Sequence, residues 1–376
     1  MNRAKMDRLV PRLLFVPAGL ALLAALWAGL LRLGWNLPPL TQSLPPNHGP
    51  LMIVGFLGTL ISLERAVAIQ RIWPYGAPVF AGFAALGLLT GLPQDWTGIL
   101  AATGSLFLTA IFFLLYTTSP AAHWVTIGLG SFVWFGGNLL WLLGFPTRQI
   151  VPWWIGFLVL TIAGERLELA RIIQPSWSSR VMFHLSTGVF LLGLGVLLFA
   201  FVAGIRLGGV GLTAMALWLL RYDIVWQSVQ QIGLPRFMAL SLLAGYIWLG
   251  VGGLLWIFSS QLLGAGVYYD AMLHSIFLGF VFSMIFAHAP IIFPSVVGLA
   301  MPFQKSFYGH LVLLHLSLLL RVGGDLAMWT PGQMWGGLLN VLAILLFLAN
   351  NVRAVRLGRF VAVGATSDSV AIKDRR

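Results

Sequence analysis

The chain has 376 residues, of which 59% are hydrophobic and only 9% charged, with a mean hydropathy of +0.93. This balance excludes a soluble domain and reads as an all-α integral membrane protein. Cysteine is absent, which excludes disulfides, cysteine-ligated zinc, iron–sulfur clusters and covalently attached haem, and the net charge of +12 sits at the ends of apolar runs, which fits membrane topology and argues against nucleic acid as a partner.

Apolar runs of about 17–25 residues read as spans. Twelve lie near 10–34, 48–70, 76–93, 96–117, 120–143, 149–172, 181–204, 206–222, 234–259, 269–297, 306–328 and 334–354. No small-residue cleavage site follows the first run, so it reads as a span and not as a removed signal peptide. Eighteen of the 22 Lys and Arg residues then fall on one side, and the other side keeps four, Arg32, Arg148, Arg206 and Arg321. The positive-inside rule places both termini in the cytoplasm. Residues 1–376 form one integral membrane domain, with a short polar tail at about 361–376 expected to be disordered.

An internal repeat organises the spans. Gly55–Phe56–Leu57 with Ile61 and Glu64–Arg65 recurs as Gly156–Phe157–Leu158 with Ile162 and Glu165–Arg166. The offset is 101 residues (156 minus 55). A fainter third copy is Gly279–Phe280 with Ile285, where His288 stands in place of the glutamate. These copies fall in spans 2, 6 and 10, so three four-helix pseudo-repeats, at roughly 10–117, 120–222 and 234–354, make the twelve.

The histidines carry the chemistry. His48 starts span 2, with Asn47 as an N-cap and Pro50 tolerated in the first turn. His274 lies about one turn into span 10, with Asp270 as a cap. Both spans start outside, so the two rings stand at similar depth on repeat-equivalent helices. Two neutral imidazoles across a gap suit a six-coordinate haem iron; the alternative is that each ring caps or bonds locally.

Three features extend a resemblance from here. Span 2 carries His48, Gly49 and Met52, and span 10 carries His274 followed by Phe293 and Pro294. Together with twelve spans in three units, these motifs resemble subunit I of the haem–copper oxidases. The resemblance implies that His48 and His274 hold the low-spin haem, as haem b. The departures are as informative. Met272 stands where the family's high-spin haem ligand would be, span 6 has no histidine, and span 7 has no His-His pair. The chain is therefore not a complete oxygen reductase. Within the superfamily it is most similar to the NnrS family, which implies a haem protein of the bacterial inner membrane. Its implied role is nitric oxide tolerance or a related redox function, with nitric oxide or a redox partner beside membrane lipid.

Arg321 ends span 11 on the outer side, where the resemblance implies bidentate bonds to haem propionates; the alternative is a snorkelling arginine. Glu64–Arg65 and Glu165–Arg166, with Glu168, lie towards the cytoplasmic ends of their spans. Charges there pair and anchor, or supply a proton route, and a proton-coupled transporter using Glu64 and Glu165 is the alternative function. A non-catalytic assembly subunit ranks third, since no large extramembrane surface is expected. His288 lies fourteen residues beyond His274, about 21 Å along a helix, so the two cannot share a metal. His288, His310 and His315 could meet in the inner half as a second metal site, with copper as the metal, or as a proton relay. The i,i+5 spacing of His310 and His315 weakens a shared site, and local hydrogen bonding is the simpler expectation. His123 and His184 are expected at the interface.

Overall fold

A bilayer cannot satisfy backbone hydrogen bonds, so each apolar run must close its own, and helices follow. The computed structural model describes residues 3–262 and 266–373. Among them the long helices are α1 (Arg3–Arg32), α2 (His48–Ile69), α3 (Gly76–Thr90), α4 (Gln94–Thr118), α5 (Ala122–Leu142) and α6 (Thr147–Ala170). They continue as α7 (Trp177–Val196), α8 (Phe201–Tyr222), α9 (Leu234–Phe258), α10 (Val267–Val297), α11 (Phe307–Leu326) and α12 (Thr330–Lys373). Eleven of these are long and apolar enough to cross a membrane. The exception is α3, the third expected span. Its 15 residues reach about 22 Å at 1.5 Å per residue, less than the roughly 30 Å hydrocarbon layer. Gly91 (φ 78°) stops it in the left-handed region, where glycine meets no Cβ penalty.

Short loops make consecutive helices antiparallel neighbours. The pairs α3/α4, α4/α5, α5/α6, α7/α8, α8/α9 and α11/α12 all pack in this way. The helices bearing the repeat take the interior. The most apolar window of α6 is 83% buried, against 61% for α10 and 56% for α2, and α10 touches both α2 and α6. The polar tail expected at about 361–376 is a continuation of α12 through Lys373, and residues 374–376 lie outside the described residues.

Two helices share an irregularity. In α2, residues Leu51–Gly58 are π-helical, and in α10, residues Ser275–Phe282 are π-helical. Each stretch follows its histidine within one turn and contains the Gly-Phe of the repeat. π-helical stretches are rare and concentrate at functional sites. The two stretches meet through Phe56 and Phe282, whose rings stack with centroids 6.2 Å apart. Gly55 permits the packing on the far side, since a Cβ there would stand 2.9 Å from Ala21 Cβ and 3.0 Å from Ala85 Cβ.

Candidate functional site

A cavity of about 590 Å³ opens at the end of the bundle where α2 and α10 begin. This lies within the roughly 300–1,000 Å³ of small-molecule and cofactor sites. Its walls come from α1, α2, α6, α10, α11 and α12, and are largely apolar, with Leu26, Met52, Trp154, Phe277, Phe282 and Ile344 among them. The polar side chains at the wall include His48, His274, Asp270, Arg321, Asp325, Tyr269 and Arg32.

Hydrogen bonds define both imidazoles. His48 Nδ1 lies 2.7 Å from the Ala25 carbonyl oxygen on α1. His274 Nδ1 lies 2.9 Å from the Asp270 carbonyl oxygen one turn earlier on α10. A carbonyl only accepts, so each Nδ1 carries the proton and donates it. Each Nε2 then presents a lone pair, and among the described residues neither Nε2 has a protein hydrogen-bond partner. This is the second-shell pattern of metal-ligating histidines, in which the other ring N–H is held by a carbonyl or carboxylate. Gly29 on α1 makes room for His48, since a Cβ there would stand 3.1 Å from Cε1 and 3.3 Å from Nδ1.

Arg321 reaches the cavity as half of an ion pair. Its Nε and Nη2 donate to Asp270 Oδ2 and Oδ1 at 2.8 and 2.9 Å. Asp270 Oδ1 also stands 3.2 Å from His274 Nδ1. The chain of contacts therefore runs Arg321, Asp270, His274. Two of the donors expected to reach a propionate are engaged by a carboxylate of the protein itself. Asp270 had been expected only as a helix cap, yet α10 starts at Val267, and the carboxylate turns sideways to α11. The i,i+4 spacing of Asp270 and His274 was the available signal. Asp325 was missed outright. It is 1% exposed, and its Oδ2 has no hydrogen-bond partner. The i,i+4 spacing of Arg321 and Asp325 could have drawn attention to it. Tyr269 adds a second buried polar atom at the cavity wall without a hydrogen-bond partner, its phenolic OH. Arg32 is exposed and, among the described residues, has no ion-pair partner.

The inner histidines do not assemble into a metal site. Trp248 Nε1 donates to His315 Nδ1 at 3.1 Å, which leaves His315 Nε2–H directed at Ser283 Oγ, 3.5 Å away. His310 is 1% exposed, contacts Asn350 through Nδ1 at 3.1 Å, and packs edge-on to Phe286 and Phe347. His288 Nδ1 donates to the Met284 carbonyl at 2.8 Å. Among the described residues no group of three or more His, Cys, Asp or Glu side chains is placed to hold a metal ion. His310 Nε2 is buried without a hydrogen-bond partner, but no further ligand side chains are gathered around it among the described residues. His184 is exposed, whereas His123, expected at the interface, is 4% exposed with Nε2 3.7 Å from Glu168 Oε1.

The repeated Glu-Arg pairs cross between repeats. Arg65 on α2 donates to Glu165 on α6 and stands 3.6 Å from its neighbour Glu64. Arg166 turns away, and its Nε and Nη2 donate to Asp223 at 2.7 Å each. Asp223 also accepts from Tyr246 at 2.9 Å and from the Val225 amide at 2.8 Å. That network ties α6, the end of α8 and α9 together.

One family model matches the chain over residues 8–356, and its description is "Domain of unknown function (DUF8744)". No curated protein and no solved structure matches the chain.

Proposed function

The chain belongs to the DUF8744 family, and we propose that it is a membrane-embedded b-type haem protein whose axial ligands are His48 and His274. One observation carries the proposal. Two imidazoles from two repeat-related helices have each committed Nδ1–H to a carbonyl, and both line one apolar cavity of about 590 Å³. The donor set fits the group. Neutral imidazole nitrogens suit iron, apolar walls suit a porphyrin face, and Arg32 at the mouth suits a propionate. Bound there, haem would supply one-electron redox chemistry and affinity for diatomic gases. The protein's own part is to hold both rings as neutral Nδ1–H tautomers and to keep water from the cavity's apolar walls.

The proposed setting is a bacterial inner membrane with both termini in the cytoplasm. The proposed role is nitric oxide tolerance or a related redox function of NnrS type. Copper at His288, His310 and His315 is not part of it, since those rings are bonded separately. The test is substitution. His48→Ala and His274→Ala should each change the haem spectrum of the purified protein, by loss of pigment or by conversion from six- to five-coordinate iron. Unchanged spectra in both variants would refute the ligand assignment.

A second reading, a proton-coupled transporter, draws on Arg65, whose one positive charge serves both Glu64 and Glu165. It expects a colourless protein whose uptake activity in liposomes disappears with Glu64→Gln or Glu165→Gln. A haem-replete protein without flux would exclude it.

A further inference from the structure

We propose that the two histidine ligands are unequal: His274 is the fixed ligand, and His48 is the one that a diatomic gas replaces. This rests on the haem proposal above and deepens it by assigning the gas to one side of the site.

The inequality is in the second shell. His274 Nδ1 has two acceptors, the Asp270 carbonyl at 2.9 Å and the Asp270 carboxylate at 3.2 Å. The carboxylate is itself clamped by both arms of Arg321, which is 7% exposed. A charge-assisted bond is roughly twice as strong as a neutral one, and a carboxylate behind a ligating histidine raises its basicity and fixes its orientation. Two residues on two packed helices, Asp270 on α10 and Arg321 on α11, therefore hold His274. His48 has one neutral acceptor, Ala25 O at 2.7 Å.

The backbone around the two rings differs in the same sense. His274 stands a full turn inside α10, after Val267. His48 is the first residue of α2, preceded by the connection 33–47, and Asn47 makes no side-chain capping bond there. Its ring lies against the bare backbone of Gly29, where a Cβ would stand 3.1 Å from Cε1, so no side chain from α1 grips it there. Leu26 and Met52 add apolar surface to the same cavity, which suits a small uncharged ligand. Ligand exchange at a bound haem would replace the His48 Nε2 bond with one to the gas and would move no electron, while the ring keeps Nδ1–H on Ala25.

The test uses the full-length, detergent-purified protein, reduced with dithionite and titrated with carbon monoxide. The variants are His48→Ala, His48→Leu, His274→Ala, and Asp270→Asn with Arg321→Gln, the last removing both members of the ion pair together. His48→Ala should keep its haem and bind carbon monoxide at least tenfold more tightly than wild type, because no internal ligand competes. His48→Leu, which fills the lost volume without offering the iron a ligand, should show the same direction if the alanine variant is poorly behaved. His274→Ala should lose haem on gel filtration. The paired variant should weaken haem retention by about 10–100-fold, the usual cost of removing an outer-shell partner. Haem retention by His274→Ala with loss in His48→Ala would overturn the assignment. Equal loss in both, or unchanged carbon monoxide affinity in His48→Ala and His48→Leu, would overturn it as well. A colourless wild-type protein would instead overturn the haem proposal itself, and this one with it.

Discussion

At His48 and His274 a single hydrogen bond decides what each ring can do. Once Nδ1–H is spent on a carbonyl, the only chemistry left to the ring is the Nε2 lone pair, and the apolar wall offers it no protein donor. The residues around the rings are tuned to that state. Gly29 is the clearest case, because any side chain there meets the His48 imidazole. Gly29→Val is expected to push His48 out of place and convert a six-coordinate spectrum to a partly five-coordinate one, while helix content by circular dichroism stays unchanged. An unaltered spectrum would show that His48 does not depend on that contact. The Arg321–Asp270 pair gives a second prediction. With His274 on haem iron as proposed, removing the carboxylate behind it disfavours the ferric state, so Asp270→Asn alone should raise the midpoint potential. A tenfold change in the ratio of ferric to ferrous stabilisation is about 59 mV for one electron, and a redox titration reads it directly. A fall, or no shift, would mean that the carboxylate does not act through His274. The histidines were legible in the sequence because an imidazole inside an apolar run is costly and therefore conspicuous. The carboxylates Asp270 and Asp325 were not, because they sit near span ends, where an acid looks like a cap. Asp270 finds its partner on another helix, Asp325 keeps one carboxylate oxygen without a hydrogen bond, and only the fold reveals that.

Elements add what residues cannot. The apolar runs were readable as helices because their length and hydropathy leave a bilayer no other solution. Length alone could not tell that α3 stops at 15 residues, since apolar sequence continues beyond the left-handed Gly91 to Leu92. The π-helical stretches of α2 and α10 also escaped the sequence. A one-residue change in hydrogen-bond register leaves the apolar pattern intact, and only the shared Gly-Phe hinted that the two helices are built alike. The Glu-Arg repeats were legible as ion pairs, but their partners were not. Arg65 pairs with the second repeat's Glu165, and Arg166 leaves the repeat altogether for Asp223. Side chains of Arg166 and Asp223 are 4% and 0% exposed. Removing one partner strands a buried charge, which costs about 3–5 kcal/mol. Asp223→Asn should therefore lower the thermal unfolding midpoint in detergent sharply and leave the absorption spectrum of the folded fraction as it was. Stability equal to wild type would remove the network from the structural account. A changed spectrum would tie it to the site.

On the scale of the whole molecule, chemistry separates along the helix axes. One end gathers the cavity, both ligand candidates and their carboxylate partners. The other gathers Glu64, Arg65, Glu165, Arg166 and Asp223, all engaged in ion pairs. Repeat-bearing helices α2, α6 and α10 connect the two ends through the most buried part of the bundle. Both α2 and α10 present histidines to one cavity, and α6, which carries no histidine, contributes Trp154 to its wall. The apolar spans, the helical architecture and the two histidines that line one cavity were all open to sequence reasoning. The unequal surroundings of the two rings were not, because they depend on which neighbouring helix supplies each acceptor. The most direct measurement is an absorption spectrum of the purified protein, oxidised and dithionite-reduced, with a pyridine haemochrome assay. Sharp reduced α and β bands with about one haem b per chain are the predicted result. A colourless protein from haem-sufficient cells would contradict it and leave His48 and His274 as structural residues.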